Sequence, residues 1–206
     1  MKVYALYGGG VAAVCYLAVS DDEKEGVLID PAVTPEVAAA RLGTLPTLTA
    51  ILLTHGHFDH MLALDAWRRK TGAPVYIHEA DAEALSDPEK NASGVFFPMG
   101  ECYGRADHLL REGDQITFGG EALTLMHTPG HTRGSSVFVG KGVLFTGDTL
   151  MADGNYGRYD LYGGSATALR DSLRRILALD GDYRIYPGHG GDTTKEEEKK
   201  YYTSII

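Results

Sequence analysis

Ala50-Ile51-Leu52-Leu53-Thr54-His55-Gly56-His57-Phe58-Asp59-His60 decides the reading of this chain. A short apolar run of strand length ends abruptly in four side chains of metal-ligand type, His55, His57, Asp59 and His60. Such a run, bounded by a polar turn, reads as a buried strand. Zinc accepts imidazole nitrogen and carboxylate oxygen, and a catalytic ion keeps one position open for water. In an extended loop His55 and His57 share a side, and a turn at Gly56 lets both reach one ion. Asp59 and His60 then face elsewhere and suit a second ion.

The same arrangement recurs three times. Thr128-Pro129-Gly130-His131-Thr132 follows an apolar run at 123–126, Tyr186-Pro187-Gly188-His189-Gly190 ends the run 184–186, and Phe145-Thr146-Gly147-Asp148-Thr149 closes the run 143–145. Each set of candidate ligands therefore stands at the C-terminal end of an expected strand, where rigid strands aim short loops at a common crevice. Five of the eight histidines fall in these motifs, a concentration that packing alone does not explain.

Outward from the motifs, further strands are expected at 3–7, 11–19, 27–29, 75–77, 115–118 and 136–139. Helices are expected at Pro35–Leu42, 59–70, 79–85 and 165–179. In the last, Leu169, Leu173, Ile176 and Leu177 recur at helical spacing, Ser165 is a suitable N-cap and Gly181 follows the end. With 206 residues, 44% of them apolar and 23% charged, the chain suits one α/β domain over 1–206. Segment 86–111 lacks a period and reads as a long loop, functional or disordered. The run 11–19 is too short to span a membrane and is followed at once by Asp21, Asp22 and Glu23, so it reads as a strand of a cytoplasmic protein. The net charge of −9 argues against nucleic acid as a partner. Cys15 and Cys102 read as a buried thiol and a loop thiol.

Taken together, Thr54-His55-Gly56-His57-Phe58-Asp59-His60, Thr-Pro-Gly-His-Thr, Phe-Thr-Gly-Asp-Thr and Pro-Gly-His, in that order, resemble the signature set of the metallo-β-lactamase superfamily. The resemblance is greatest to its small glyoxalase II-like hydrolases. It implies the four-layer αβ/βα sandwich and one ion held by His55, His57 and His131. A second ion would be held by Asp59, His60 and His189, with Asp148 bridging both. It also implies two zinc ions, or iron or a mixed pair, and hydrolysis of a small thioester or ester by a metal-bridging hydroxide that Asp59 helps to orient. The chain departs from that pattern at Arg133, at Met61-Leu62 and at Tyr201-Tyr202-Thr203, and no C-terminal helical domain of the glutathione-binding kind is expected before Ile206. A mononuclear-iron persulfide dioxygenase and a lactonase of the same superfamily share much of the ligand set. A non-enzymatic metal protein fits less well, because structural zinc usually has a closed, cysteine-rich shell.

Around the motifs, Asp30 is a candidate partner for a ligand ring or a turn residue before Pro31. Arg133, Arg158 and Tyr159 are candidate substrate contacts, Arg158 alternatively pairing with Asp160. Phe96, Phe97, Met99 and Tyr103 form a lid or pack within their own loop. His78 and His127 read as packed histidines, His108 as solvated, and the tail 195–200 as a solvated helix.

Overall fold

Alternation along the strands sorts the side chains into layers. In strand β2 (Cys15–Val19), Tyr16 and Ala18 enter one apolar cluster, whereas Cys15, Leu17 and Val19 enter another. Strand β3 (Glu25–Ile29) divides likewise, Val27 and Ile29 against Leu28, and so does β4 (Thr47–Leu52), Ala50 and Leu52 against Ile51. A strand apolar on both faces must be covered on both faces. The computed structural model, which describes residues 1–202, shows how.

Two six-stranded sheets stack face to face among the described residues. The first runs in the order β1 (Lys2–Leu6), β2, β3, β4, β5 (Val75–His78), β6 (His108–Leu110). Its first two pairings are antiparallel and the remaining three parallel. The second sheet comprises β7 (Gln115–Phe118), β8 (Glu121–His127), β9 (Ser136–Gly140), β10 (Val143–Gly147), β11 (Arg184–Pro187) and β12 (Thr193–Thr194) as successive neighbours. Only its β10–β11 pair is parallel.

Between the sheets lie Tyr16, Ile29 and Leu52 from one and Phe118, Leu125, Phe138 and Phe145 from the other. Outside the first sheet pack α1 (Pro35–Leu42) and α2 (Leu64–Thr71), whose Trp67 is fully buried and donates its indole N–H to the Val33 carbonyl. A four-residue turn of helix, α3 (Ser93–Phe96), lies within segment 86–111. Outside the second sheet packs α4 (Ala166–Leu177), with Leu169, Leu173, Ile176 and Leu177 buried and Ser165 capping it. This is the four-layer αβ/βα sandwich. No helix among the described residues is long and apolar enough to cross a membrane.

Several elements differ from expectation. The strand expected at 11–19 begins only at Cys15, because the backbone before it bonds elsewhere: the Ala13 N–H donates to the Asp59 carbonyl and the Val14 N–H to the Gly188 carbonyl. The helix expected at 59–70 is split into a 3-10 turn, Phe58–His60, and α2, so that Asp59 and His60 belong to the loop. The helix expected at 79–85 is 3-10 in type, Glu79–Ser86. The tail forms α5 (Lys195–Lys199), but Lys195 and Glu198 are buried, not solvated. Glu198 accepts the Asp153 and Gly154 N–H groups and the Thr193 hydroxyl, and the Lys195 ammonium donates to the Leu179 carbonyl. Thr203 lies outside the described residues. Cys15 is buried, which pushes its thiol up to about 12, and Cys102 and His108 are exposed.

His78 and His127 stack with ring centroids 3.9 Å apart and an interplanar angle of 10°. His78 is buried and its Nδ1 accepts the Ala80 N–H, so the neutral ring carries its proton on Nε2. Burial, then the His127 ring, depresses His78 to about 4. A histidine depressed in the folded state stabilises the fold above its unfolded pKa of about 6.5 and loses that contribution as pH falls towards 4. Replacing His78→Phe is expected to flatten the fall in unfolding free energy between pH 6.5 and 4 by up to about 3 kcal/mol. Urea titrations at a series of pH values check this, and an unchanged slope would count against it.

Candidate metal centre

Four loops converge at one edge of the sandwich, each at the C-terminal end of a strand or just beyond it: after β4, β8, β10 and β11. Two glycines are needed for the loops to close. Gly130 has φ 139°, and a Cβ there would stand 2.2 Å from the Leu169 backbone nitrogen. A Cβ on Gly188 would stand 2.2 Å from Asp148 Oδ1 and 2.6 Å from His60 Cε1.

All seven candidate ligands meet there. Their donor atoms form three overlapping groups, each within 4.8 Å: His55, His57 and His131; His55, His60 and Asp148; Asp59, His60 and His189. His131 Nε2 is 3.1 Å from His55 Nε2. Asp148 lies between the outer groups, with Oδ1 3.3 Å from His60 Nε2, and Oδ2 3.5 Å from His131 Nε2 and 3.7 Å from His189 Nε2. Asp59 Oδ2 is 3.2 Å from His189 Nε2.

Hydrogen bonds behind the rings fix which nitrogen faces inward. Asp30 ends β3 in a left-handed conformation, φ 50°, and its carboxylate accepts the Thr54 N–H and hydroxyl at 2.8 Å each. It also accepts His60 Nδ1–H at 2.9 Å, which turns Nε2 towards Asp148. Because the Thr54 hydroxyl donates to Asp30, it accepts from His55 Nδ1 at 3.1 Å, and His55 Nε2 is likewise free to ligate. His131 Nδ1 donates to the Arg158 carbonyl at 2.6 Å. Of the two readings open for Asp30, the ring partner is the one the structure displays.

The electrostatics are those of imidazoles and carboxylates buried against one another. Burial, then His60, His131 and His57, holds His55 well below the usual histidine range. Burial and the neighbouring His131 hold His57 at about 3. Burial opposes charge on Asp148, yet His60, His131 and His55 together hold it well below the ordinary carboxylate range. His60 moves the other way: burial lowers it, but Asp30, Asp148 and Asp59 raise it more. His57 Nε2, His60 Nε2 and Asp148 Oδ1 are buried without hydrogen-bond partners, although such atoms are ordinarily paired. A metal ion supplies what these three atoms lack, so the donor set fits one.

The remaining candidates are placed differently. Arg158 lines the metal cavity but is held by Asp160 through two contacts of 2.7 and 2.8 Å. Arg133 lies over the Tyr162 ring in a neighbouring depression with Glu79, Asp81 and Glu83. Tyr159 lines a further cavity with Arg170, Tyr201 and Tyr202. Phe96 lines the metal cavity, whereas Met99 projects into solvent and Tyr103 is packed in the core.

Sequence reasoning missed Asp81. This buried carboxylate accepts the Gly56 N–H at 2.9 Å, the Gly134 N–H at 2.6 Å and the Thr132 hydroxyl at 2.6 Å. It thereby clips the loop carrying His55 and His57 to the loop carrying His131. Burial pushes its carboxyl up against those three donors. Nothing in the sequence separates it from the neighbouring Glu79 and Glu83.

A four-layer sandwich with histidines and carboxylates gathered at its strand ends defines a class of metal-binding hydrolases. The chain belongs to the metallo-β-lactamase superfamily, to which residues 8–189 match. Over 100% of both chains it is similar to the crystal structure of the B3 metallo-β-lactamase BLEG-1, at 34% identity and a TM-score of 0.88. TTHA1623, solved in a di-iron-bound form, is 32% identical with a TM-score of 0.80, covering 96% of this chain and 98% of its own. The hydroxyacylglutathione hydrolase GloC of Haemophilus influenzae is 33% identical over 185 residues, 87% of each chain. Fold, ligand groups and relatives together support a metal-binding hydrolase with a dinuclear site.

Replacing Asp81→Asn puts an amide N–H₂ against one of the three donors. It is expected to weaken zinc binding by about tenfold, as partners behind a metal shell commonly do. Competition with a chromophoric chelator measures this; unchanged affinity would show that the two loops assemble without the clip.

Proposed function

We propose that the protein is a dinuclear metal-dependent hydrolase of a small thioester or ester, of the glyoxalase II-like kind. The observation that carries this reading is the trio of unpartnered buried donor atoms, His57 Nε2, His60 Nε2 and Asp148 Oδ1, beside an open cavity of about 390 Å³ that His57 and Asp148 line. His55, His57 and His131 would hold one ion, Asp59, His60 and His189 the other, and Asp148 both. Zinc suits this histidine–carboxylate set, and so does iron. When bound, two such ions lower the pKa of a water to about 7 and polarise a substrate carbonyl.

The chain's own residues do the rest. Asp30, Thr54 and the Arg158 carbonyl hold His60, His55 and His131 in the tautomers that present Nε2. Asp148, kept ionised by its histidine neighbours, offers an oxygen to each side of the centre. Asp59 lines the cavity beside His189, where its carboxylate orients the attacking water and takes a proton from it. Phe58, Phe96 and Leu161 wall the cavity and limit competing solvent.

The similarity to GloC supports a thioester, and the di-iron form of TTHA1623 makes the metal itself an object of measurement. Elemental analysis of the purified protein is expected to give about two zinc or iron atoms per chain. Replacing Asp148→Ala is expected to remove metal and lower kcat for thioester hydrolysis at least 100-fold, an effect of roughly 3 kcal/mol or more. An Asp148→Ala protein with full metal and full turnover would overturn the assignment. A single iron with oxygen uptake on persulfides would replace hydrolysis with a dioxygenase.

A further inference from the structure

Outside its candidate ligands, the metal cavity is walled by apolar groups: Val11, Phe58, Phe96, Met151, Tyr156 and Leu161. Three of these come from segments with no role in assembling the sheets. Val11 stands on the loop before β2, Phe96 ends α3, and Tyr156 lies in the turn after β10. Each is a large apolar side chain left substantially in water, with Val11 54%, Phe96 52% and Tyr156 46% exposed. Phe96 is held in place by the buried Phe58, with ring centroids 5.4 Å apart. Exposed apolar groups gathered around a polar centre mark a binding surface.

The charges around the cavity point the same way. Among the described residues lining it, Arg158 is the only arginine or lysine. Its guanidinium is engaged on two nitrogens by Asp160, so a substrate carboxylate approaching it meets a second carboxylate already there. The nearby cations Lys90 and Arg133 open onto the neighbouring depression, among Glu79, Asp81 and Glu83. Lys90 is further paired with Glu83 and Asp87. A glutathione thioester brings two carboxylates, and such groups are usually recognised by uncommitted arginines or lysines. The cavity walls offer none.

We infer that the substrate of this site is an uncharged thioester or ester whose acyl group is apolar, seated against Phe96, Val11 and Tyr156. This rests on the hydrolase reading above and goes beyond it by choosing the substrate class. Moving a methylene from water onto an apolar wall is worth roughly fourfold in affinity, so acyl length is the natural ruler.

The metal-loaded protein should be assayed with N-acetylcysteamine thioesters from acetyl to hexanoyl, and with S-lactoylglutathione. We expect kcat/KM to rise by about threefold to fourfold per methylene, and the hexanoyl thioester to exceed S-lactoylglutathione at least tenfold. Phe96→Ala should lower kcat/KM for the hexanoyl substrate about tenfold more than it lowers kcat/KM for the acetyl substrate. Asp160→Asn, by releasing Arg158, should raise kcat/KM for S-lactoylglutathione several-fold. A flat dependence on acyl length, or a wild-type preference for S-lactoylglutathione, would overturn the inference while leaving the hydrolase intact. No turnover of any of these thioesters or of the matching ethyl esters by protein carrying its full metal would overturn both.

Discussion

Asp30 is the contact on which the site most depends. Its carboxylate is almost fully buried, accepts both polar groups of Thr54 and fixes the ring of His60. A buried carboxylate is tolerated only where its oxygens are satisfied, and here each bond has a structural consequence. The bond to Thr54 N–H sets the path of the chain as it leaves β4. The bond to the hydroxyl turns that hydroxyl into an acceptor for His55. The bond to His60 turns Nε2 towards Asp148. One side chain thus orients two rings, His55 and His60, which between them belong to all three ligand groups, without itself offering a donor to them. Its left-handed backbone is the local strain that such placement entails, and the surrounding bonds are what sustain it.

The second requirement is that four loops from two sheets arrive together. β4 belongs to one sheet, and β8, β10 and β11 to the other. The aromatic packing between the sheets, Tyr16 with Phe145 and Tyr186, fixes their separation just below the ligand loops. Tyr16 also donates its hydroxyl to the Pro187 carbonyl at 2.7 Å, at the start of the loop that carries His189. Asp81 performs the corresponding task for His55, His57 and His131. Rigid strands, clipped loops and oriented rings form successive layers of the same constraint, which lets mutually repelling groups stay close enough to share a cation.

Much of this was legible in the sequence, for a physical reason. A strand buried on both faces must be a continuous apolar run, and a ligand loop must follow it at once, so Ile51-Leu52-Leu53 before His55 carries both signals together. The layers were implied by the family resemblance that the motifs at the ends of those runs carry. What the sequence concealed was short or non-local. β6 is three residues with His108 and Leu109 exposed, and β12 is Thr193-Thr194, neither long enough to show a period. The burial of Lys195 and Glu198 depends on partners at Leu179 and 153–154, which no local pattern records. Arg133 was misleading because two residues' distance along the chain from His131 places it on the far side of the loop, over Tyr162. Asp81 was invisible because its donors, Gly56, Thr132 and Gly134, are backbone and hydroxyl groups far away in sequence.

The residues of the candidate metal centre and those of the surrounding cavity wall are held in different ways. The ligands and their partners are bound to strand ends and to one another, so that a change in any of them disturbs several. Four other residues lining the cavity, Val11, Phe96, Tyr156 and Arg158, stand on loops and short turns that take no part in ring orientation, save for the Arg158 backbone carbonyl. Arg158 illustrates the separation within a single residue. Its carbonyl fixes His131 whatever the side chain does, while its guanidinium is paired on two nitrogens with Asp160. Side chains of the cavity wall can thereby differ without disturbing the rings, because what orients the rings is backbone and buried side chains elsewhere.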